Sequence, residues 1–364
     1  MWEDIMKRIL SLILTFLLIV SLTACGGSKN SEGTQSGTIE LALTTDSGTI
    51  DDKSFNQGAW EGLEKYATEN NISYKYYQPV EKTTTAYLET IALAVEGGAK
   101  MVACPGYLFS EAIYEAQDMY PDTKFIMLDA SPQDANGEEK VSDNTYAVYY
   151  AEEQAGFLAG YAAVKDGYKK LGFMGGVALP AVVRFGYGFV QGAEYAAEEM
   201  GISDLELKYH YTGKFEATPE AQSTAAAWYQ SGTEVIFACG GAVGNSVMAA
   251  AEDASGKVIG VDVDQSVESD SVITSAIKNI SGSVYDGIKE FYNGSFPGGK
   301  VLTLDASVDG IGLTMETSKF NRFTQEDYEA IYSKIKDGKI EIINDTEINI
   351  SDLNVKNIKI DIVQ

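Results

Sequence analysis

Short apolar runs alternate along most of the chain with stretches whose apolar residues recur at helical spacing. The strand-like runs are TIELALTTD (38–46), MVACPG (101–106), KFIMLDA (124–130), KLGFMGG (170–176), EVIFACG (234–240) and KVIGVDVD (257–264). Between them, residues 54–70, 83–97, 110–119, 152–165, 181–200, 218–231 and 243–254 read as helices. The runs are continuously apolar and end in Gly, Asp or Pro, the signature of a parallel sheet covered by helices on both faces. Ligands of such sheets bind beyond the carboxyl ends of the strands. The pattern runs through twice. A first series closes in TYAVYYAEEQAGFLAGYAAV and a second begins at Lys170. Two similar α/β lobes with a cleft between them are therefore expected, and a cleft between domains is a preferred place for a small ligand. The last segment, EIINDTEINISDLNVKNIKIDIVQ, alternates more like β structure.

The start of the chain follows another logic. Lys7 and Arg8 precede the apolar run ILSLILTFLLIVSL, which closes at Leu22-Thr23-Ala24-Cys25. A positive region, an apolar region and small residues at a cleavage point describe an export signal. The run is short of the roughly 20 residues that a membrane span needs. Cys after Leu-Thr-Ala resembles a bacterial lipobox, in which Cys25 is acylated and becomes the first mature residue. Residues 1–24 then form a lipoprotein signal peptide and 25–37 (GGSKNSEGTQSG after the Cys) a flexible tether. The expected location is the extracytoplasmic face of the cell membrane, held there by the lipid at Cys25.

About 325 residues remain after the tether, enough for one large or two medium domains. The formal charge of −26 belongs wholly to them, because Glu3, Asp4, Lys7 and Arg8 cancel. Such a surface repels phosphate backbones and anionic headgroups, which excludes nucleic acid as a partner. Cys104 and Cys239 each end an apolar run and read as small buried residues of separate strands. His210, the single histidine, stands in the alternating run LELKYHYT and reads as a strand residue. A histidine-based metal site or a Ser-His-Asp triad has little to draw on. No other run is long enough to cross a bilayer.

Three places could carry chemistry. In DSGTIDDKSFNQ, Asp46 ends a strand, and Ser54 with Gln57 resembles a capping box opening a helix whose inner face is Ala59, Leu63 and Ala67. Phe55 and Asn56 would lie in its first turn, where a Phe packs beneath a flat ring and an Asn both donates and accepts. A buried staple and cap would account for them equally well. Asp129 in FIMLD, and Asp262 and Asp264 in VIGVDVDQ, stand at comparable strand ends of the two lobes. Carboxylates there accept hydrogen bonds from vicinal hydroxyls; turn caps and a glycosidase pair are the alternatives. Finally, YTGKFEATPEAQ places Phe215 before a helix, and CGGAVGN places Gly240, Gly241 and Gly244 where backbone approaches a cleft. That turn lacks the GxxxxGK[ST] spacing of a phosphate loop.

GTIDDKSFNQGAWEGL, EEQAGFLAGYAA, KLGFMGG, FGYGFVQGA, YTGKFEATPEAQ, EVIFACGGAVGN and KVIGVDVDQ occur in the order found in the basic membrane protein family. Over roughly residues 38 to 300 the chain resembles these lipoproteins, which are similar to the purine nucleoside receptor A of nucleoside ABC importers. The resemblance implies a type I periplasmic-binding-protein fold of two Rossmann-like lobes: residues 38–150 plus about 276–312, and 151–275 plus about 313–364. It implies a nucleoside, a purine one in the family's pattern, held for delivery to a membrane permease, with no catalysis, cofactor or metal. The aromatic sandwich around the base falls on Phe55 and Phe215, the base-contacting Asn on Asn56, and the ribose acids on Asp129 and Asp262. The Asp of the first strand is Asp46, the family's Lys is Lys278 in ITSAIKNI, and Gly241 supplies backbone. The acidic charge departs from the family's name, and the segment after about Gly338 lies outside the match. Three rivals remain: a receptor for a pentose or similar sugar, a surface nucleosidase using Asp129 and Asp262, and a signalling lipoprotein with a vestigial pocket.

Overall fold

The computed structural model describes residues 38–363; the signal segment, Cys25 and the tether lie outside them. The first half builds β1 (Leu41–Thr44), α1 (Phe55–Asn70), β2 (Tyr74–Tyr77), α2 (Thr84–Glu96), β3 (Met101–Pro105), α3 (Ser110–Met119), β4 (Lys124–Leu128) and β5 (Thr145–Tyr150). The second half repeats the theme with α4 (Glu152–Asp166), β6 (Lys170–Gly175), α5 (Pro180–Met200), β7 (Leu205–Tyr211), α6 (Pro219–Gln230), β8 (Val235–Cys239), α7 (Val243–Ala254), β9 (Lys257–Asp262) and β10 (Val272–Lys278). Then follow α8 (Ile280–Tyr292), β11 (Lys300–Leu304), β12 (Ile311–Leu313), α9 (Gln325–Lys336) and β13 (Ile358–Ile362).

Two sheets result, in the orders β11-β5-β4-β3-β1-β2 and β12-β10-β9-β8-β6-β7-β13. Every pairing is parallel except that of β12 with β10. The central strands β1, β3, β4, β6, β8 and β9 are buried on both faces, which is why they read as apolar runs. In β1, Leu41 and Leu43 join one core cluster while Ala42 joins another with Val102, Cys104 and Phe125. In the second sheet Phe173 and Met174 divide in the same way.

The chain crosses between sheets three times: from Tyr150 to Glu152, from Lys278 to Ile280, and from Leu304 to Ile311. The crossings are tied together, Ala151 N–H donating to Leu304 O at 3.1 Å and Asn279 N–H to Gly310 O at 2.9 Å. All of β10 through Lys278 pairs within the second sheet, whereas α8 packs on α1 of the first, where a Cβ on Gly62 would stand 2.3 Å from Ser281 O.

Helices α4 and α5 form the closest-packed pair. A Cβ on Gly160 would stand 2.0 Å from Phe189 O, and one on Gly192 1.9 Å from Phe157 O. Only glycine lets the two backbones meet at that distance. The C-terminal segment differs from its β-like alternation. Only Ile358–Ile362 pairs, in parallel with β7, and the rest straps across α5. Gln191 both donates to Ile343 O and accepts from its N–H, and the Glu194 carboxylate accepts from the N–H groups of Lys356 and Asn357. Polar side chains of α5 satisfy the strap's backbone, so it needs no strand partner. The described helices include none long and apolar enough to cross a membrane.

His210 is indeed a strand residue, its Nδ1 2.8 Å from Val363 O. Cys104 and Cys239 are free and buried in β3 and β8, strands of different sheets.

Candidate functional site

The strand order sets the two sheets edge for edge with the crossings at one side, so the carboxyl ends of β4, β3 and β1 answer those of β9, β8 and β6. Between them lies a cavity of 260 Å³, slightly smaller than the usual range of about 300–1,000 Å³ for pockets of drug-sized ligands. Asp46, Phe55, Asn56, Asp129, Phe215, Gly241, Asp262 and Lys278 all line it. It is also walled by Asp52, Tyr107, Val182, Phe185 and Cys239.

Asp129 follows β4 and Asp262 ends β9, and both adopt left-handed backbone, with φ of 64° and 69°. That conformation is uncommon outside glycine and is best tolerated by Asp and Asn. It occurs at matching strand ends in both lobes. Asp264, two residues on, is exposed and acts as a turn residue, accepting from Ser266 N–H at 2.9 Å and the Thr317 hydroxyl at 2.8 Å.

Lys278 connects the two acids. Its Nζ lies 2.7 Å from Asp129 Oδ2, 3.4 Å from Asp262 Oδ1 and 3.6 Å from Glu152 Oε1, with its side chain almost wholly buried. The ammonium also faces the rings of Phe55, Tyr150 and Phe185 at 4.4, 5.1 and 5.5 Å from their centroids. Burial opposes the lysine's charge, but Asp129, Asp262 and Glu152 outweigh it and hold the pKa above its ordinary value. Glu152 is paired in turn with Arg184 at 2.6 Å, and Arg184 with Lys278 holds its carboxyl below the ordinary value against the cost of burial. Three acids thus face two cations. Burial pushes Asp129 up to about 8 although Lys278 pulls it down. Asp129 Oδ1, itself buried, has no hydrogen-bond partner among the described residues.

The loop before α1 departs from the capping box expected of Ser54 and Gln57. Asp52 is the cap: its carboxylate accepts from the N–H groups of Ser54, Asn56 and Gln57 at 2.9–3.1 Å. Gln57 instead accepts from Lys53 N–H at 3.1 Å. Ser54 is thereby released to donate across the cleft to Asp262 Oδ2 at 2.5 Å. Gln265 reaches back from the second lobe to Lys53 O at 2.7 Å, so the lobes are joined on this side. Asn56 donates to both Asp46 and Asp52 at 3.0 Å, which fixes its amide. Burial raises the pKa of both acids, Asp52 to about 6.

Phe215, half-buried, lies against Gly176, where a Cβ would come within 2.6 Å of the ring. Gly241 takes φ of 56° and Gly240 approaches Gly176 backbone so closely that a Cβ would stand 2.5 Å from its nitrogen. Together these glycines let the loops after β6 and β8 flank the aromatic ring.

Sequence reasoning did not single out Asp52, Glu152, Arg184 or Phe185 as site residues. Glu152 was legible only as an acid opening an apolar, Gly- and Ala-rich helix, a common choice for the helix dipole. Its complete burial beside Lys278 depends on the crossing from Tyr150, which no local pattern reveals.

The family model described as ABC transporter substrate-binding protein PnrA-like matches residues 39–348. The ABC transporter nucleoside-binding protein BmpA of Lactococcus lactis subsp. cremoris is 29% identical over 92% of this chain and 99% of its own. An uncharacterized lipoprotein of Pyrococcus abyssi is 28% identical over 83% of this chain and 76% of its own. Among solved structures, an ABC transporter solute-binding protein from Aeropyrum pernix superposes with a TM-score of 0.75 at 22% identity, covering 84% of this chain and 94% of that one, which is a likeness of fold.

Proposed function

Since the chain belongs to the Bmp family of PnrA-like ABC transporter substrate-binding proteins, we propose that it captures a nucleoside, preferably a purine one, for delivery to a membrane permease. The observation that carries this reading is the composition of one cavity: Phe55 and Phe215 beside carboxylates from both lobes, Asp129 and Asp262. A heteroaromatic base gains about 1–3 kcal/mol per aromatic stack. Vicinal hydroxyls donate to carboxylates, and a ligand without them would leave buried acceptors unpaired, a strong basis for selection. Asn56, whose two amide hydrogens go to Asp46 and Asp52, offers its Oδ1 as an acceptor toward the base, and Gly241 its backbone. The nucleoside-binding relative from Lactococcus agrees with this assignment.

The role is binding without chemistry. Asp129 and Asp262 are engaged by Lys278, and Asp262 by Ser54, which suits acceptors held still rather than an acid and a base that must exchange protons with water. Closing the lobes over the ligand would create the form that a permease recognises. The lipobox-like Leu-Thr-Ala-Cys25 supports an anchor on the outer face of the membrane, in keeping with the relative named as a lipoprotein.

A thermal-shift screen of the domain from Gly27 tests the reading, using nucleosides, free bases and pentoses, since a ligand that binds only the native state raises its melting temperature. A rise with adenosine, guanosine or inosine but not with ribose or free base is expected. A rise with ribose alone would make the protein a sugar receptor. Release of free hypoxanthine from inosine would make it a nucleosidase.

A further inference from the structure

We infer that the outer end of the ligand cavity opens into a vestibule that admits purine nucleosides carrying an apolar substituent on the six-membered-ring edge of the base. The inference rests on the nucleoside reading above.

A second cavity of 480 Å³ adjoins the first at Phe215 and shares Ser47, Leu179, Phe215 and Glu216 with it. Its additional walls include Leu108 from the first lobe and Val177 from the second. Both are half-buried and apolar, and Phe215 and Leu179 extend the same apolar surface.

The orientation of a bound nucleoside follows from where charge lies along the cleft. Asp129, Asp262 and Lys278 stand at the ends of β4, β9 and β10, next to the crossings, in a buried corner of ionisable groups. Phe215 follows β7, far from the crossings, and Lys82 follows β2 at the matching edge of the first sheet. A ribose directed to the carboxylates points the glycosidic nitrogen of a purine inward. The opposite edge, with positions 1, 2 and 6, then faces the vestibule. A ring-sized group at position 6 would leave water for the surface formed by Leu108, Val177 and Leu179. The ion pair of Lys82 with Glu216 spans the rim at 2.7 Å, but both side chains are about half exposed, and such pairs hold little against displacement. The two ends of the site therefore differ: one tolerates no additions, the other has room.

Titration calorimetry on the domain with adenosine, N6-benzyladenosine and 2′,3′-O-isopropylideneadenosine tests this. N6-benzyladenosine is expected to bind within about tenfold of adenosine, or more tightly, whereas the blocked diol loses more than about tenfold. Leu108→Trp and Val177→Trp, each filling the vestibule without lining the ligand cavity, should leave adenosine within about twofold of the unaltered protein and weaken N6-benzyladenosine by more than about tenfold. Adenosine bound normally with N6-benzyladenosine weakened more than tenfold in the unaltered protein would overturn the inference alone. So would Trp variants that bind both ligands as before. Failure of adenosine itself to bind would overturn the nucleoside reading and this inference with it.

Discussion

Replacing Lys278 with Met removes one charge from a cluster that contains three carboxylates and keeps an unbranched side chain one atom shorter. The ammonium lies 2.7, 3.4 and 3.6 Å from Asp129, Asp262 and Glu152, and almost none of the side chain meets solvent. Removing one partner of a buried pair leaves the other charge uncompensated and costs about 3–5 kcal/mol. Unfolding entropy of about 2.1 cal/mol/K per residue gives roughly 0.7 kcal/mol per degree for a domain of about 325 residues, so the melting temperature should fall by roughly 4–7 °C. Urea unfolding of the ligand-free domain at pH 7 measures the loss directly. The lysine's raised pKa keeps its own contribution intact below its ordinary value of 10.5, so lowering the pH from 8 to 5 does not titrate it. The carboxylates left behind in the variant do take up protons over that range. The gap between the two proteins should therefore narrow toward pH 5, and Lys278→Met with Asp129→Asn should lose less than Lys278→Met alone. A change under about 1 kcal/mol at pH 7, or a gap that widens in acid, would refute the reasoning.

Phe55→Ala and Phe215→Ala should each weaken nucleoside binding by about 1–3 kcal/mol while leaving the circular dichroism spectrum unchanged, and calorimetry showing full affinity in both would remove the stacking assignment. Gly192→Ala should destabilise the second lobe by at least the roughly 1–3 kcal/mol of ordinary overpacking, because the new Cβ meets Phe157 O at 1.9 Å; an unchanged urea midpoint would contradict that. Burial raises Asp52 to about 6, Glu153 to about 7 and Asp129 to about 8, so the folded state holds protons that the unfolded chain releases. Such groups stabilise below their unfolded pKa values and lose that effect as pH rises through the folded ones. The ligand-free domain should therefore melt higher at pH 5 than at pH 8, and the reverse order would show that these acids are charged in the folded state.

Much of this protein was legible from local chemistry. Parallel strands buried on both faces must be apolar throughout, and helices that cover them must show a 3.6-residue period, so β1, β3, β4, β6, β8 and β9 and the helices between them stood out in the chain. That Phe55, Asp129 and Asp262 stand around the cavity agrees with a general rule, that the carboxyl ends of such strands open on the cleft. Other features needed the tertiary structure. Asp52 rather than Ser54 accepts the first N–H groups of α1, and the Ser54 hydroxyl donates to Asp262, some 208 residues away along the chain. Glu152 and Arg184 join the charge cluster through the crossing after β5 and the packing of α5 on α4, contacts between elements that carry no local signal. The C-terminal segment alternates like a strand, yet side chains of α5 take its hydrogen bonds. Periodicity reports how each element meets the core. Which charges meet one another is decided by how the elements close in space, since a buried carboxylate and a buried ammonium must find partners wherever the fold brings them within reach.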